Sequence, residues 1–319
     1  MKTKIVYVCV SDDSDTYLEQ AFVSVYSLRR YNPDAFVEIV VDKVTEATFV
    51  GKRAKIKELV SRITAVDVPS EFSKKQRSRY LKTNLRNLVM GDFLYLDSDT
   101  IIRNSLDEID DLNCDVAAVR ECNTIQSFTK NEVWMYNLAA KAGLETVLDN
   151  EPYFNGGVIF AKDSPKAHLF FKNWHECWGK TTERGVDTDQ TSLCWANKLS
   201  GHEIKFIDNS WNCLINFHGI NYEKTAKVIH YTYELKNSRY VLSRLKGVFE
   251  DFKKTGDFSA VIEEIILNPN LFLVDSQTEN FLRESGYLKC IFDKHPKFFK
   301  FIRWQCMHFM GVLARLHIR

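Results

Sequence analysis

Apolar runs and amphipathic stretches alternate along the N-terminal part of the chain. Ile5-Val6-Tyr7-Val8-Cys9-Val10 is a continuous, largely β-branched run, the pattern of a strand buried on both faces. It stops at Ser11-Asp12-Asp13-Ser14-Asp15, whose short polar side chains suit a loop and then a helix N-cap. From Tyr17 to Tyr31, Leu18, Ala21, Phe22, Val25 and Leu28 share one helical face, and Asn32-Pro33-Asp34 ends the segment in a turn. The same reading predicts strands from Phe36 to Val41, Ile63 to Val68 and Phe93 to Leu96, and helices from Ala47 to Val60 and Tyr80 to Val89. Later, Asn155-Gly156-Gly157 leads into Val158-Ile159-Phe160, a helix carries Trp174 and Trp178, and Val228-Ile229-His230-Tyr231 forms a last short strand. Beyond about Arg239 the pattern is helical with charged interruptions. Strands alternating with helices define βαβ units, hence an α/β fold around a mainly parallel sheet.

In open α/β sheets, ligands sit beyond the carboxyl ends of strands. Asp12-Asp13 and Asp97-Ser98-Asp99 both follow apolar strands, so the two acidic ends point to one shared site. Composition narrows what that site serves. A net charge of +1 excludes a general nucleic-acid binder. Eight scattered cysteines with no C-x-x-C pair argue for reduced thiols over a disulfide framework or zinc site. The first apolar run is too short for a signal peptide, and no segment reaches the roughly 20 apolar residues of a membrane span. A cytoplasmic location is therefore expected.

Asp97-Ser98-Asp99 carries the candidate chemistry. A turn after a strand can splay alternate carboxylates onto one hard cation, and magnesium or manganese shares its oxygen shell with substrate phosphates. Alone, the motif leaves open that one Asp caps a turn while the other is solvated. Leu94 to Ile101 also resembles the first motif of haloacid-dehalogenase-type phosphatases, in which the first Asp is a nucleophile and the second a general acid. That motif usually opens the first strand, whereas here a long βα pattern precedes it and no matching later acidic cluster follows.

Several ordered motifs give a stronger resemblance. Ile5-Val6-Tyr7-Val8 with Ser11-Asp12-Asp13, the Tyr17–Pro33 helix and turn with Ser24-Val25-Tyr26-Ser27-Leu28, and Arg79-Tyr80-Leu81-Lys82 precede the Asp-x-Asp strand. Asn155-Gly156-Gly157-Val158, Asp189-Gln190, and His230-Tyr231 with Lys236 follow it. Together they resemble glycosyltransferase family 8, retaining UDP-hexose enzymes that include lipopolysaccharide galactosyl- and glucosyltransferases and glycogenin. The resemblance implies a GT-A type fold, a Rossmann-like mixed sheet flanked by helices, with a catalytic domain over residues 1–240 and a helical region over 241–319. It implies a metal-dependent hexosyltransferase moving glucose or galactose from a UDP-sugar to a saccharide or lipid-linked saccharide, in a bacterial surface glycan such as lipopolysaccharide or capsule. A catalytically inert nucleotide-sugar-binding module is the alternative from another class, followed by the phosphatase.

By the same resemblance, Asp97, Asp99 and His230 would hold Mn²⁺ or Mg²⁺, with Ser98 between them on the donor. Asp12, with Asp13 beside it, would meet uracil, and Arg79 or Lys82 the ribose or phosphates. Asn155, Gly156 and Asp189 would face the donor sugar, Gln190 the far face of its reacting carbon, and Lys236 the diphosphate. Whether retention proceeds by same-face attack or through a covalent intermediate on Asp189 stays open. The closing motif departs from the family: Tyr233 replaces its glycine, and Asn237-Ser238 its usual Pro-Trp.

Two features lie outside these motifs. From Lys289 onward there are seven Lys/Arg against one acid, Asp293, and Lys294 to Trp304 interleaves cations with large apolar residues. This suits an amphipathic helix on an anionic membrane surface, peripheral on the inner face of the plasma membrane, or else a helix packed on the main domain. Trp134, Trp174 and Trp178 read as core or as an acceptor platform.

Overall fold

The computed structural model describes residues 1–123, 133–215, 218–231 and 249–267. Its main sheet has seven strands in the order β3-β2-β1-β4-β7-β6-β8. These are β1 Lys4–Cys9, β2 Val37–Asp42, β3 Arg62–Val66, β4 Phe93–Leu96, β6 Val116–Arg120, β7 Phe154–Ala161 and β8 Ile204–Phe206. Only β7 runs against its neighbours, pairing antiparallel with both β4 and β6, so the sheet is mixed. The other pairs are parallel.

The period of two along β1 explains the layering. Ile5, Tyr7 and Cys9 face a core shared with helix Tyr17–Tyr31, whereas Val6, Val8 and Val10 face a second core with Leu81, Phe170 and Trp174. Each large side chain so buried contributes about 1.5–3 kcal/mol, and helices on both sides are why the central strands read as unbroken apolar runs. Trp174 and Trp178 are buried, which places them in the core and not on a platform; the Trp134 side chain lies outside the described residues.

Two helices differ from expectation. The segment predicted from Ala47 to Val60 is broken into Lys43–Ala47, a 3₁₀ turn Gly51–Lys55 and Ile56–Leu59. Gly51 supplies the break at φ +52°, a backbone conformation that costs glycine least. The predicted Tyr80–Val89 helix begins earlier, at Lys74, where Ser73 and Gln76 form a capping box, and Leu85–Leu88 continues after Thr83.

A small second sheet sits above the strand ends. In it β10 (Val228–His230) lies between β5 (Thr100–Ile102) and β9 (Cys213–Leu214), antiparallel to the first and parallel to the second. Residues 249–267 pack back on helix Tyr17–Tyr31: Phe249, Phe252, Ile262 and Ile266 join its core, and Phe258 stacks on Tyr26 at 4.0 Å. Cys9, Cys114, Cys122, Cys177, Cys194 and Cys213 are free thiols. Among the described residues no helix is long and apolar enough to cross a membrane. Tyr233, Lys236, Asn237-Ser238 and the basic stretch from Lys289 lie outside the described residues.

Candidate active site

The site forms where the two sheets meet. β4 delivers Asp97, whose backbone N–H donates to the Gly157 carbonyl at 2.8 Å and so ties the turn to β7. The chain passes half-buried Ser98 and Asp99 into β5. Tyr231 N–H donates to the Asp99 carbonyl at 3.2 Å, and His230 pairs in register with Thr100. This brings His230 Nε2 to 3.2 Å from Asp99 Oδ1. One donor atom from each of Asp97, Asp99 and His230 lies within 4.8 Å of the others.

The chemistry of this set fits a hard divalent cation. Burial opposes protonation of His230, but Asp99 and Asp97 outweigh burial and raise its pKa above the usual histidine value. The two carboxylates thus favour positive charge beside them. On its other side, the ring is held by Asn212: His230 Nδ1 is 3.0 Å from Asn212 Oδ1, which leaves Nε2 facing the carboxylates. The ring also lies against Gly157 of β7. A Cβ added at Gly157 would stand 2.4 Å from His230 Cε1, so only glycine admits it.

Next to this cluster lies a buried charge group. Lys82, almost wholly buried, reaches Asp97 Oδ1 at 3.2 Å and Asp189 Oδ2 at 2.6 Å, and Arg79 Nε meets Asp189 Oδ1 at 3.0 Å. Both sequence candidates therefore reach the site, Arg79 and Lys82 gripping opposite oxygens of one carboxylate. Burial opposes the charge on Asp189, but Arg79 and then Lys82 more than offset it and hold its carboxyl well below the usual range. The Trp174 indole donates to the Asp189 carbonyl at 3.0 Å, fixing the start of helix Asp189–Leu199. Gly156 backs the pair, with Asp189 Oδ2 3.1 Å from where its Cβ would be.

A third group was not anticipated. Glu121, at the end of β6, is buried and accepts from Asn155 Nδ2 at 2.9 Å and from the Gln190 amide nitrogen. Burial pushes its pKa up, against the opposing hydrogen bond from Asn155. Asn155 Oδ1 accepts from Gly157 N–H at 2.8 Å and from Asn212 Nδ2 at 2.9 Å. The chain of bonds runs unbroken from His230 through Asn212, Asn155 and Glu121 to Gln190. Cys122 and Asn123 follow at φ 55° and 54°, a left-handed pair that costs each about 1–3 kcal/mol. The Asn123 side chain holds that turn, donating to the Asn212 carbonyl at 2.8 Å and accepting from Leu214 N–H at 2.8 Å. Neither Glu121 nor Asn212 stood in a motif: Val116-Ala117-Ala118-Val119-Arg120 is a run of small residues closed by a cation, and Asn212 sits in a 3₁₀ turn.

β1 runs parallel beside β4, so the loop after it lies at the same end of the sheet as Asp97 and is the second wall of the site. Asp12 accepts from Ser14 N–H at 2.8 Å and meets Lys74 Nζ at 2.7 Å; Lys74 and then Ser14 hold its carboxyl well below the usual range. Asp12 therefore does not cap helix Tyr17–Tyr31; the N-cap position is Thr16, and Asp15 just before it accepts from Tyr17 N–H at 3.1 Å. The Asp13 side chain is exposed, while its carbonyl accepts from Lys253 Nζ at 2.6 Å. Behind the loop, Arg53 pairs with buried Glu19 at 3.1 Å and donates to Ser11 Oγ at 2.9 Å.

Comparison with known proteins agrees with this geometry. The model of glycosyl transferase family 8 matches residues 8–237. No curated protein sequence matches the chain. Among solved structures, the galactosyltransferase LgtC, crystallised in complex with donor and acceptor sugar analogs, matches with a TM-score of 0.51 and 17% identity, over 78% of this chain and 96% of its own. The glycosyltransferase GlyE of Streptococcus pneumoniae TIGR4 matches with a TM-score of 0.52 and 19% identity, over 82% of this chain and 63% of its own. At such identities the likeness carries the fold alone. That fold, with an acidic cluster at its strand ends, is the GT-A fold of a glycosyltransferase. The chain belongs to glycosyltransferase family 8. A nucleotide-sugar donor and a saccharide acceptor follow from the family, and the phosphatase and inert-module readings fall away.

Proposed function

We propose that this glycosyltransferase is metal-dependent and retaining, and transfers glucose or galactose from a UDP-sugar to a saccharide of a bacterial surface glycan, working in the cytoplasm. The observation that carries the reading is the meeting of Asp97, Asp99 and His230 with the buried Lys82–Asp189 pair. In this reading the three ligands hold Mn²⁺ or Mg²⁺, which when bound neutralises charge on the departing diphosphate. Lys236 contacts the same diphosphate as a point charge.

The chain's own groups do the rest. Asp12 meets the uracil N3–H after exchanging Lys74 for it, and Ser98 lies between the metal ligands on the donor. Asp189, kept ionised by Arg79 and Lys82, accepts from hydroxyls of the donor sugar. Asn155 has a narrower part than its type allows. Both lone pairs of its carbonyl are taken by Gly157 and Asn212, so it offers the sugar only its remaining N–H. Gln190 stands beside the reacting carbon on the face opposite to the leaving group. The catalytic unit is taken as residues 1–240, with 241–319 as a helical region whose basic stretch docks on an anionic membrane near a lipid-linked acceptor; co-sedimentation with anionic vesicles tests that part.

The decisive test is UDP release over a panel of donors and acceptors, with and without Mn²⁺, with the product anomer read by NMR. Transfer that needs the metal and retains configuration supports the reading. Metal-independent transfer, or an inverted product, refutes it.

A further inference from the structure

An amide side chain has nearly the same shape either way round, so its partners decide which end faces a substrate. The bond network fixes that choice for Gln190, starting from the backbone. Gly157 N–H, which can only donate, reaches Asn155 Oδ1 at 2.8 Å. That makes this end of Asn155 the oxygen and turns Nδ2 toward Glu121, where it lies 2.9 Å from Oε2. With that end fixed as an acceptor, Asn212 turns its Nδ2 to the same Asn155 oxygen at 2.9 Å. Glu121 thus receives donors: Asn155, Gln190, and the Cys122 thiol at 3.7 Å from its other oxygen. Among the described residues no lysine or arginine pairs with it. The Oε2 that accepts from Asn155 also accepts from the nitrogen of Gln190, which leaves the carbonyl oxygen as the outward end of that amide.

We infer that Glu121 is a positioning residue that holds the Gln190 amide with its nitrogen turned away, so that the carbonyl oxygen is the atom offered to the reacting carbon of the donor sugar. This rests on the proposed reading that the donor sugar lies beside Gln190. As the bond from that carbon to the diphosphate lengthens, positive charge grows on the carbon. A fixed carbonyl dipole stabilises it without moving, whereas the reversed amide would present its hydrogens and oppose it. No bond to Gln190 forms in this role.

Two measurements test the inference. In donor-free protein labelled with ¹⁵N-glutamine, the Gln190 side-chain pair is assigned by its loss in Gln190→Ala. One of its two protons should resonate well downfield of an ordinary glutamine amide, as a proton shared with a carboxylate does. An ordinary position would overturn the inference, whether or not any variant folds. In a double-mutant cycle, Glu121→Gln should lower kcat by roughly tenfold to a hundredfold with the donor KM little changed. In the Gln190→Ala background the same change should cost less than about twofold, because the group it orients is gone. Equal losses in both backgrounds would mean that Glu121 acts only on the fold, and would overturn the inference while leaving the proposed reaction intact. A wild-type protein with no sugar transfer would instead sink the reaction, with the NMR arm still deciding whether Glu121 sets the amide.

Discussion

The two walls of the site are built on different principles. On the wall after β1, polar groups are partly exposed and are satisfied by long lysines: Lys74 bridges Asp12 and Asp15, and Lys253 reaches the carbonyls of Asp13 and Asp15. On the wall around β7, the groups are buried: Lys82 and Arg79 hold Asp189, and the remaining partners are short amides whose direction is set by the Gly157 N–H. The first wall can exchange a lysine for a ligand at little cost, since exposed pairs are weak and screened. The second cannot rearrange without stranding a buried polar group, so its geometry is settled before substrate arrives. Adaptable binding and fixed chemistry are thus divided between the two sides.

The most damaging way to break this contrast is Lys82→Met. It keeps the volume but removes the cation from two carboxylates, one of them deeply buried, and should cost about 3 kcal/mol or more in urea denaturation. A loss under about 1 kcal/mol would put Lys82 with the exposed wall. Gly157→Ala comes next: its Cβ would displace the His230 ring, and Mn²⁺ affinity by calorimetry should fall at least about tenfold with the circular dichroism unchanged. Unaltered affinity would remove His230 from the ligand set.

A pH titration sharpens the comparison further. Asp189 and Asp12 both have depressed pKa values, so each contributes stability above the ordinary aspartate pKa of about 3.9 that is lost as the pH falls through the depressed value. The buried Asp189 should carry more of that acid limb than Asp12, which is 38% exposed and screened. Asp189→Asn should therefore flatten stability between about pH 4 and 2 more than Asp12→Asn does; equal flattening would erase the distinction. The smallest effect is expected from Lys74→Ala, less than about 1 kcal/mol of stability and further reduced in high salt. A larger, salt-independent loss would show the β1 wall to be as rigid as the other.

How much of this was legible in the sequence follows the same division. The β1 and β4 acids announced themselves because each ends an apolar run long enough to read as a strand. His230 was legible for the same reason, at the end of Val228-Ile229. Asn155-Gly156-Gly157 was visible as a motif, though its reason was not: Gly157 is small because a histidine from a distant strand lies on it. Glu121 and Asn212 were invisible, since Glu121 follows a run of small residues closed by Arg120 and Asn212 sits in a 3₁₀ turn with no apolar run before it. Their importance comes from contacts across the fold. The helix predicted from Ala47 to Val60 failed because apolar spacing outweighed Gly51 in the reading and not in the chain.

The small sheet of β5, β10 and β9 has a consequence for how the molecule closes. Asp99 and His230 stand at one end of the short β5–β10 ladder, three register pairs long, although roughly 130 residues separate them, so a few bonds must recover the entropy of a long loop. A cation gripped by both ends would act as a removable cross-link across that loop. It would stabilise the folded chain by RT ln(1 + [M]/Kd), and chelation would loosen the end of the ladder that carries His230 first. Hydrogen exchange at the amide of Tyr231, followed with and without Mn²⁺, would make metal occupancy readable as the opening rate of one peptide bond's worth of ladder.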